Sequence, residues 1–264
     1  MPSAMGKTYQ ELTRREYADG WKDWLLARED RNAYLLPLNC SESRLTRIDQ
    51  FTFQFFHMLP DHARVVDLGF GPEGRDLADL LRLSRNPSHG KRLDLCGIEL
   101  VPENVQSALA NPEFMHEGIN LMAYKLEEGD ITERINLGSA SVKGIILSSV
   151  IQHFAADVFY ERVVPEIERV MAPGGIMQLI FKATSGAPHL VSVDDPTLGG
   201  KRREFYLYNA GDVVAVLESA GFNLYLGDKE RFGGVVTWVD QRKPVEYAGI
   251  FMVKRDQLPE LRTD

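Results

Sequence analysis

The sequence predicts an α/β fold: a seven-stranded, mostly parallel sheet with helices on both faces and a helical extension ahead of it. Three observations carry this. Apolar runs at 64–68, 93–99, 120–125, 142–150, 176–183, 222–227 and 247–254 alternate with segments of helical periodicity. The first run ends in a glycine-rich turn, Asp67-Leu68-Gly69-Phe70-Gly71-Pro72-Glu73-Gly74, before an amphipathic stretch. The chain has 264 residues, 44% of them apolar, enough to bury both faces of such a sheet.

Taken in order, residues 8–29 have the apolar stripe of a helix, with Tyr9, Leu12, Tyr17, Trp21, Trp24, Leu25 and Leu26. Pro37 interrupts it, and Ser41 or Ser43 can cap a second helix running to Met58, rich in Phe51, Phe53, Phe55 and Phe56. Leu59-Pro60-Asp61 closes this extension, so 1–59 forms a helical lid or buttress and 60–264 the sheet domain. After the first strand a helix is expected from Pro72, because a proline lacks only an N–H that a first helical position leaves unused. A loop at Asn86–Gly90 leads to the second strand, and Pro102 opens a helix to about Ala110. The third strand closes on Gly129-Asp130-Ile131, and 142–150 reads as a central strand. Phe154–Val170 is helical, Pro173-Gly174-Gly175 turns, and 176–183 is the fifth strand. Residues 184–208 read as irregular. Asn209 or Asp212 starts a helix that stops at Ala220-Gly221, and two strands follow, with 235–239 extending the first of them.

Composition narrows the function. Lys and Arg number 30 against 38 Asp and Glu, a net charge of −8, and the densest basic run is Lys201-Arg202-Arg203. A nucleic-acid partner calls for a basic footprint that this chain lacks. No run is long and apolar enough for a membrane span or a signal peptide, and two cysteines, Cys40 and Cys96, make no disulfide framework. Asn39-Cys40-Ser41 fits a glycosylation sequon by chance alone. The expectation is a cytoplasmic protein acting on a small molecule, without nucleic-acid or membrane partners, and with a homodimer left open.

Parallel sheets bind ligands beyond the carboxyl ends of their strands. Asp67, Glu99 and Asp130 all fall at such ends, so they line one edge. Glycines at 69, 71 and 74 let a ligand approach the backbone there. That spacing alone also fits a dinucleotide site. Asp67, two residues before the first glycine, would oppose a pyrophosphate and welcome a ligand with a positive end. S-adenosylmethionine (SAM), with its ammonium and sulfonium, fits better than NAD. Glu99, 25 residues past Gly74, is placed to accept hydrogen bonds from a ribose diol, each worth roughly 1.5–3 kcal/mol.

Four segments in order then resemble the class I SAM-dependent methyltransferases: Val66-Asp67-Leu68-Gly69-Phe70-Gly71, Gly97-Ile98-Glu99, Glu128-Gly129-Asp130-Ile131, and Ile167–Gly175 with its Ala172-Pro173-Gly174-Gly175 ending. Leu217–Phe222 is similar to that family's lead into strand six. The resemblance covers about residues 60–254 and implies a Rossmann-like sheet whose last strand is antiparallel. It also implies cofactor roles: Gly69 and Gly71 at the methionine part of SAM, Asp67 near its ammonium, Glu99 on the ribose with Leu100 beside it, Asp130 and the Ile131 backbone at the adenine, and Ser148 near the methionine part. Phe70 and Glu73 depart from the small residues usual there. They keep open an alternative, a SAM-binding protein of this fold that does not methylate.

A hydroxyl or protonated amine acceptor needs a base, and histidine serves near neutral pH. Of six histidines, His153 follows the fourth strand and His189 lies in the irregular stretch, so these two are the catalytic candidates, with helix-start or packing roles as the competing reading. Tyr206 and Tyr208 share one strand face and, with Tyr17 and Trp21 of the lid, are candidate substrate contacts. No metal site is expected, since Ser148, Ser149 and Gln152 stand where a metal-dependent relative needs carboxylates.

Overall fold

The computed structural model describes residues 47–86, 89–115, 125–195, 201–227, 232–239 and 245–256. Tyr17, Trp21 and the rest of the expected lid ahead of residue 47 lie outside them.

Helix α1 (Arg47–Met58) leads into β1 (Ala63–Leu68), α2 (Arg75–Arg85), β2 (Leu93–Glu99), α3 (Pro102–Leu109), α4 (Pro112–Met115) and β3 (Lys125–Glu128). Strand β4 (Val142–Ser148) is followed by a tight turn, Ile151–His153. A continuous helical stretch, α5, joins Ala156–Val158, the π-helical Phe159–Val163 and Val164–Val170. Then come β5 (Met171–Thr184), β6 (His189–Asp195), β7 (Lys201–Asn209), α6 (Ala210–Ser219), β8 (Phe222–Leu224), β9 (Val236–Val239) and β10 (Glu246–Lys254).

The principal sheet runs β3-β2-β1-β4-β5-β10-β8. Strands β1 to β5 pair in parallel, and β10 is antiparallel to both β5 and β8. This is the seven-stranded arrangement with one reversed strand that the sequence implied. One face is covered by α1, α2 and α3 through Phe51, Phe55, Phe56, Leu77, Leu80 and Val105. The other is covered by α5 and α6 through Phe159, Val163, Ile167, Val213 and Leu217. Alternation sorts each strand between them: Val65 faces the first layer and Val66 the second.

Three expectations need correction. Pro72 does not open a helix; it lies within a turn, and α2 starts after Gly74, which caps it in a left-handed conformation (φ +54°). Pro173-Gly174-Gly175 is not a turn ahead of the strand but a bulge within β5, where the pairing steps from Val142↔Met171 to Gly144↔Ile176. Residues 184–208 are not irregular. β6 and β7 form an antiparallel hairpin in register from His189↔Leu207 to Asp195↔Lys201, joined to β5 at Ala183↔Tyr208 and Thr184↔Asn209. Strand β9 prolongs the edge begun by β8, both pairing with the same side of β10. Asn209 caps α6 as its sequence position suggests, its Oδ1 accepting from the Gly211 N–H at 2.9 Å and the Asp212 N–H at 3.3 Å.

Candidate functional site

Strand β1 pairs with β2 on one side and β4 on the other, so chain order reverses at β1. That reversal opens a crevice at the carboxyl ends of the strands. A cavity opens there at the strand ends. Its wall brings together Gly69, Gly71, Glu99, Leu100, Asp130, Ile131 and His153 from the sequence-predicted set. Ile98, Asn104, Gly129, Ser149, Val150 and Phe154 complete it.

The glycine turn sets the floor. Gly69 takes φ +80°, and its N–H donates to the Ile98 carbonyl at 2.7 Å. A Cβ there would stand 2.8 Å from Val150 Cγ2, so the position admits no side chain. Gly71, at φ +69°, differs: nothing lies within 4 Å of where its Cβ would be. Its bare backbone faces open space, as close approach of a ligand requires.

Glu99 is fixed before any ligand arrives. Its Oε2 accepts from the Gly71 N–H at 2.9 Å and its Oε1 from the Val101 N–H at 3.1 Å. The Asn104 side chain also bonds to this carboxylate. At 7% exposure, burial pushes the carboxyl upward, and these hydrogen bonds pull it back. These donors take up most of the carboxylate's roughly four lone-pair positions, so a ribose diol has to share them or displace a donor. Beside it, the Gly129 N–H donates to the Glu99 carbonyl at 2.9 Å, holding the β3 loop against β2. Asp130 Oδ1 accepts from the Thr132 N–H at 2.9 Å and its hydroxyl at 2.7 Å, which braces the turn and presents Ile131 to the cavity.

Asp67 lies beneath this floor at 2% exposure and is not part of the wall. Burial pushes its carboxyl well above the ordinary range; the Asp76 and Glu99 charges add to this, and the Arg75 charge opposes it. Phe70 does not block the cradle. It turns down into the layer of α2, where a Cβ on Gly97 would meet its Cδ1 at 2.5 Å. The large residue at 70 is matched by a missing one at 97.

On the far wall, Ser149 holds φ +62°, uncommon for a residue with a side chain, and its N–H donates to the Ile180 carbonyl at 2.8 Å. Ser148 is off the wall; its hydroxyl accepts from Gln178 Nε2 at 3.0 Å on the α1 side of the sheet. His153 is half-buried, its N–H donating to the Val150 carbonyl at 3.0 Å. Its ring lies 5.6 Å from that of Phe205 on β7. His189 is apart from it, exposed on β6 with Nδ1 2.9 Å from the Ala187 carbonyl oxygen. Tyr208 is not a pocket residue: it is fully buried, packs on Phe159 and Phe181, and its hydroxyl donates to the Phe154 carbonyl at 2.8 Å. Tyr206, half-buried, packs against the same core. Among the described residues, no group of three or more His, Cys, Asp and Glu side chains is placed to hold a metal ion.

An open glycine backbone, a pre-held carboxylate beside it and a buried acid beneath suit a ligand that joins a ribose to a cationic end. Residues 66–179 match the family model of the methyltransferase domain. They form a methyltransferase domain. SAM is the cofactor. No curated protein sequence matches the chain. Among solved structures it is similar to the Burkholderia thailandensis 1,6-didemethyltoxoflavin-N1-methyltransferase, crystallised with 1,6-didemethyltoxoflavin and S-adenosylhomocysteine, at 16% identity and TM-score 0.59, over 93% of this chain and 92% of that one. It is similar to the (4+2)-cyclase SpnF at 15% identity and TM-score 0.60, over 92% and 97%. A SAM-dependent methyltransferase from Methanosarcina mazei aligns at 14% identity and TM-score 0.58, over 80% and 98%. At such identities the likeness is one of fold.

Proposed function

We propose that this methyltransferase moves the methyl group of SAM to an oxygen or nitrogen of a small molecule in the cytoplasm, with no nucleic-acid or membrane partner. The observation that carries the proposal is His153, a proton acceptor on the cavity wall just past the end of β4. When bound, SAM supplies a methyl group already activated by its sulfonium. The chain's work is alignment and exclusion of water, and alignment alone reaches effective molarities of about 10⁵–10⁸ M. Gly69, Gly71 and Glu99 hold the donor, and His153 removes the proton that an O–H or N–H acceptor must lose. Phe205 of the β6–β7 hairpin, packed against His153, walls the acceptor side. The acidic surface favours a small metabolite over nucleic acid.

The test is production of S-adenosylhomocysteine from SAM across a panel of phenols, alcohols and amines, with wild type and His153→Ala. Turnover with one acceptor class, reduced on the order of 10²-fold or more in the variant while S-adenosylhomocysteine affinity holds, is the expected result. Equal loss of turnover and affinity assigns His153 a packing role instead. The second reading, a SAM-binding protein that does not methylate, is kept in view by the cyclase among the fold neighbours. Tight SAM binding without methyl transfer to any acceptor would favour it.

A further inference from the structure

Asn104 lies in the first turn of α3, is 1% exposed, and forms part of the cavity wall. An amide donates only through its nitrogen, so Nδ2 is the group that bonds to the Glu99 carboxylate. That leaves Oδ1, which accepts from no group among the described residues. A buried carbonyl oxygen without a donor is unfavourable, and such atoms are few in folded proteins. Glu99 shows the opposite condition. The Gly71, Val101 and Leu100 N–H groups and the Asn104 amide all donate to it, against roughly four lone-pair positions on an ionised carboxylate. A filled acceptor and an empty one therefore stand side by side at the cavity.

We propose that Asn104 grips the ribose diol of SAM jointly with Glu99: one hydroxyl inserts between Nδ2 and the carboxylate, and the other donates to Oδ1. The inference rests on the ribose meeting Glu99. A hydroxyl both donates and accepts, so the inserted one serves Nδ2 and Glu99 at once and neither loses a partner. Oδ1 gains its first. The other donors on Glu99 are main-chain groups that the fold holds in place. Gly71 belongs to the left-handed turn (φ +69°), and Val101 caps α3, its carbonyl accepting from the Asn104 and Val105 N–H groups at 3.0 and 3.2 Å. The Asn104 side chain alone among them turns about its own bonds without moving backbone. A ligand lacking the second hydroxyl leaves Oδ1 empty, so the pair distinguishes a ribonucleoside from its deoxy forms.

Calorimetry with S-adenosylhomocysteine and its 2′-deoxy and 3′-deoxy forms tests it in wild type, Asn104→Leu and Glu99→Ala. In wild type, loss of either hydroxyl is expected to weaken binding about tenfold. Asn104→Leu is expected to weaken S-adenosylhomocysteine about tenfold and to bind one of the deoxy forms as tightly as the parent, within about twofold. If that variant keeps the wild-type penalty for both deoxy forms, the proposal is overturned, because Asn104 then only packs beside Glu99. Unchanged S-adenosylhomocysteine affinity overturns it as well. Failure of the ribose placement looks different: wild type binds all three ligands alike, or Glu99→Ala keeps both penalties. Binding of the deoxy forms reports that a variant is folded, and Asn104→Ala is read in the same way if the leucine variant does not fold.

Discussion

The two sides of the cavity are built by different means. The adenosine side rests on strand ends: Glu99 and the Asp130 turn are held by backbone hydrogen bonds from Gly71, Val101 and Gly129. The acceptor side rests on side-chain contacts: His153 against Phe205, and a hairpin anchored by Tyr208. The donors on the first side are main-chain N–H groups that tolerate many substitutions at their own positions, whereas the His153–Phe205 contact joins two side chains and changes with either. Under the proposed function, cofactor binding is a property of the sheet and acceptor choice a property of what is hung beside it.

Substitutions can break or sharpen this contrast. The largest effect is expected from Gly69→Val, which combines a left-handed backbone with a Cβ 2.8 Å from Val150. Strain and overpacking together cost about 2–5 kcal/mol, measurable as a drop in melting temperature and loss of S-adenosylhomocysteine binding. Glu99→Ala follows, weakening S-adenosylhomocysteine by roughly 2 kcal/mol in calorimetry through lost charged hydrogen bonds. Undiminished affinity in the folded variant would remove the ribose from this position.

Acidity separates the two sides further. Burial raises the Asp67 and Glu99 carboxyls above the ordinary values of 3.8 and 4.5. The folded chain therefore binds protons that the unfolded chain has released. Stability of the ligand-free protein accordingly falls as pH rises from those ordinary values through the raised ones. SAM brings positive charge to the ionised acids, so its affinity rises over the same window. Asp67→Asn is expected to flatten both profiles, read by thermal melts and titration calorimetry at stepped pH.

Smaller effects belong to the acceptor side. Tyr208→Phe removes the donor to the Phe154 carbonyl and costs about 1 kcal/mol, a fall of roughly 2–4 °C in melting temperature. His189→Ala, at an exposed position off the cavity wall, is expected to leave turnover within about twofold. A large loss there would move the acceptor out along the hairpin and undo the contrast.

Much of the adenosine side was legible in the sequence. Asp67 and Glu99 lie at the ends of apolar runs and Asp130 two residues past β3, and in a parallel sheet a strand end is a place as well as a residue. Gly97 carried a signal too: a glycine inside a strand marks a close approach, here by Phe70, and so accounts for the large residue at 70. The hairpin was missed, although Leu190-Val191-Ser192-Val193 and Phe205-Tyr206-Leu207-Tyr208 are β-prone runs either side of Pro196 and Gly199-Gly200. Glycines and prolines around them hid the pairing. Ser149 and Asn104 had no local signature. The first enters the wall through a backbone angle and the second through a helix turn behind Glu99, and neither is written in residue type.

The hairpin meets β5 through two residue pairs at its base, Ala183↔Tyr208 and Thr184↔Asn209. An element rooted so narrowly behaves as a cartridge: its length and side chains can be exchanged in evolution without shifting the register of any strand that carries the cofactor. A lineage can thus alter substrate choice by rewriting much of the 23 residues between Ser185 and Asn209, the core anchor Tyr208 apart, while leaving the parallel strands untouched.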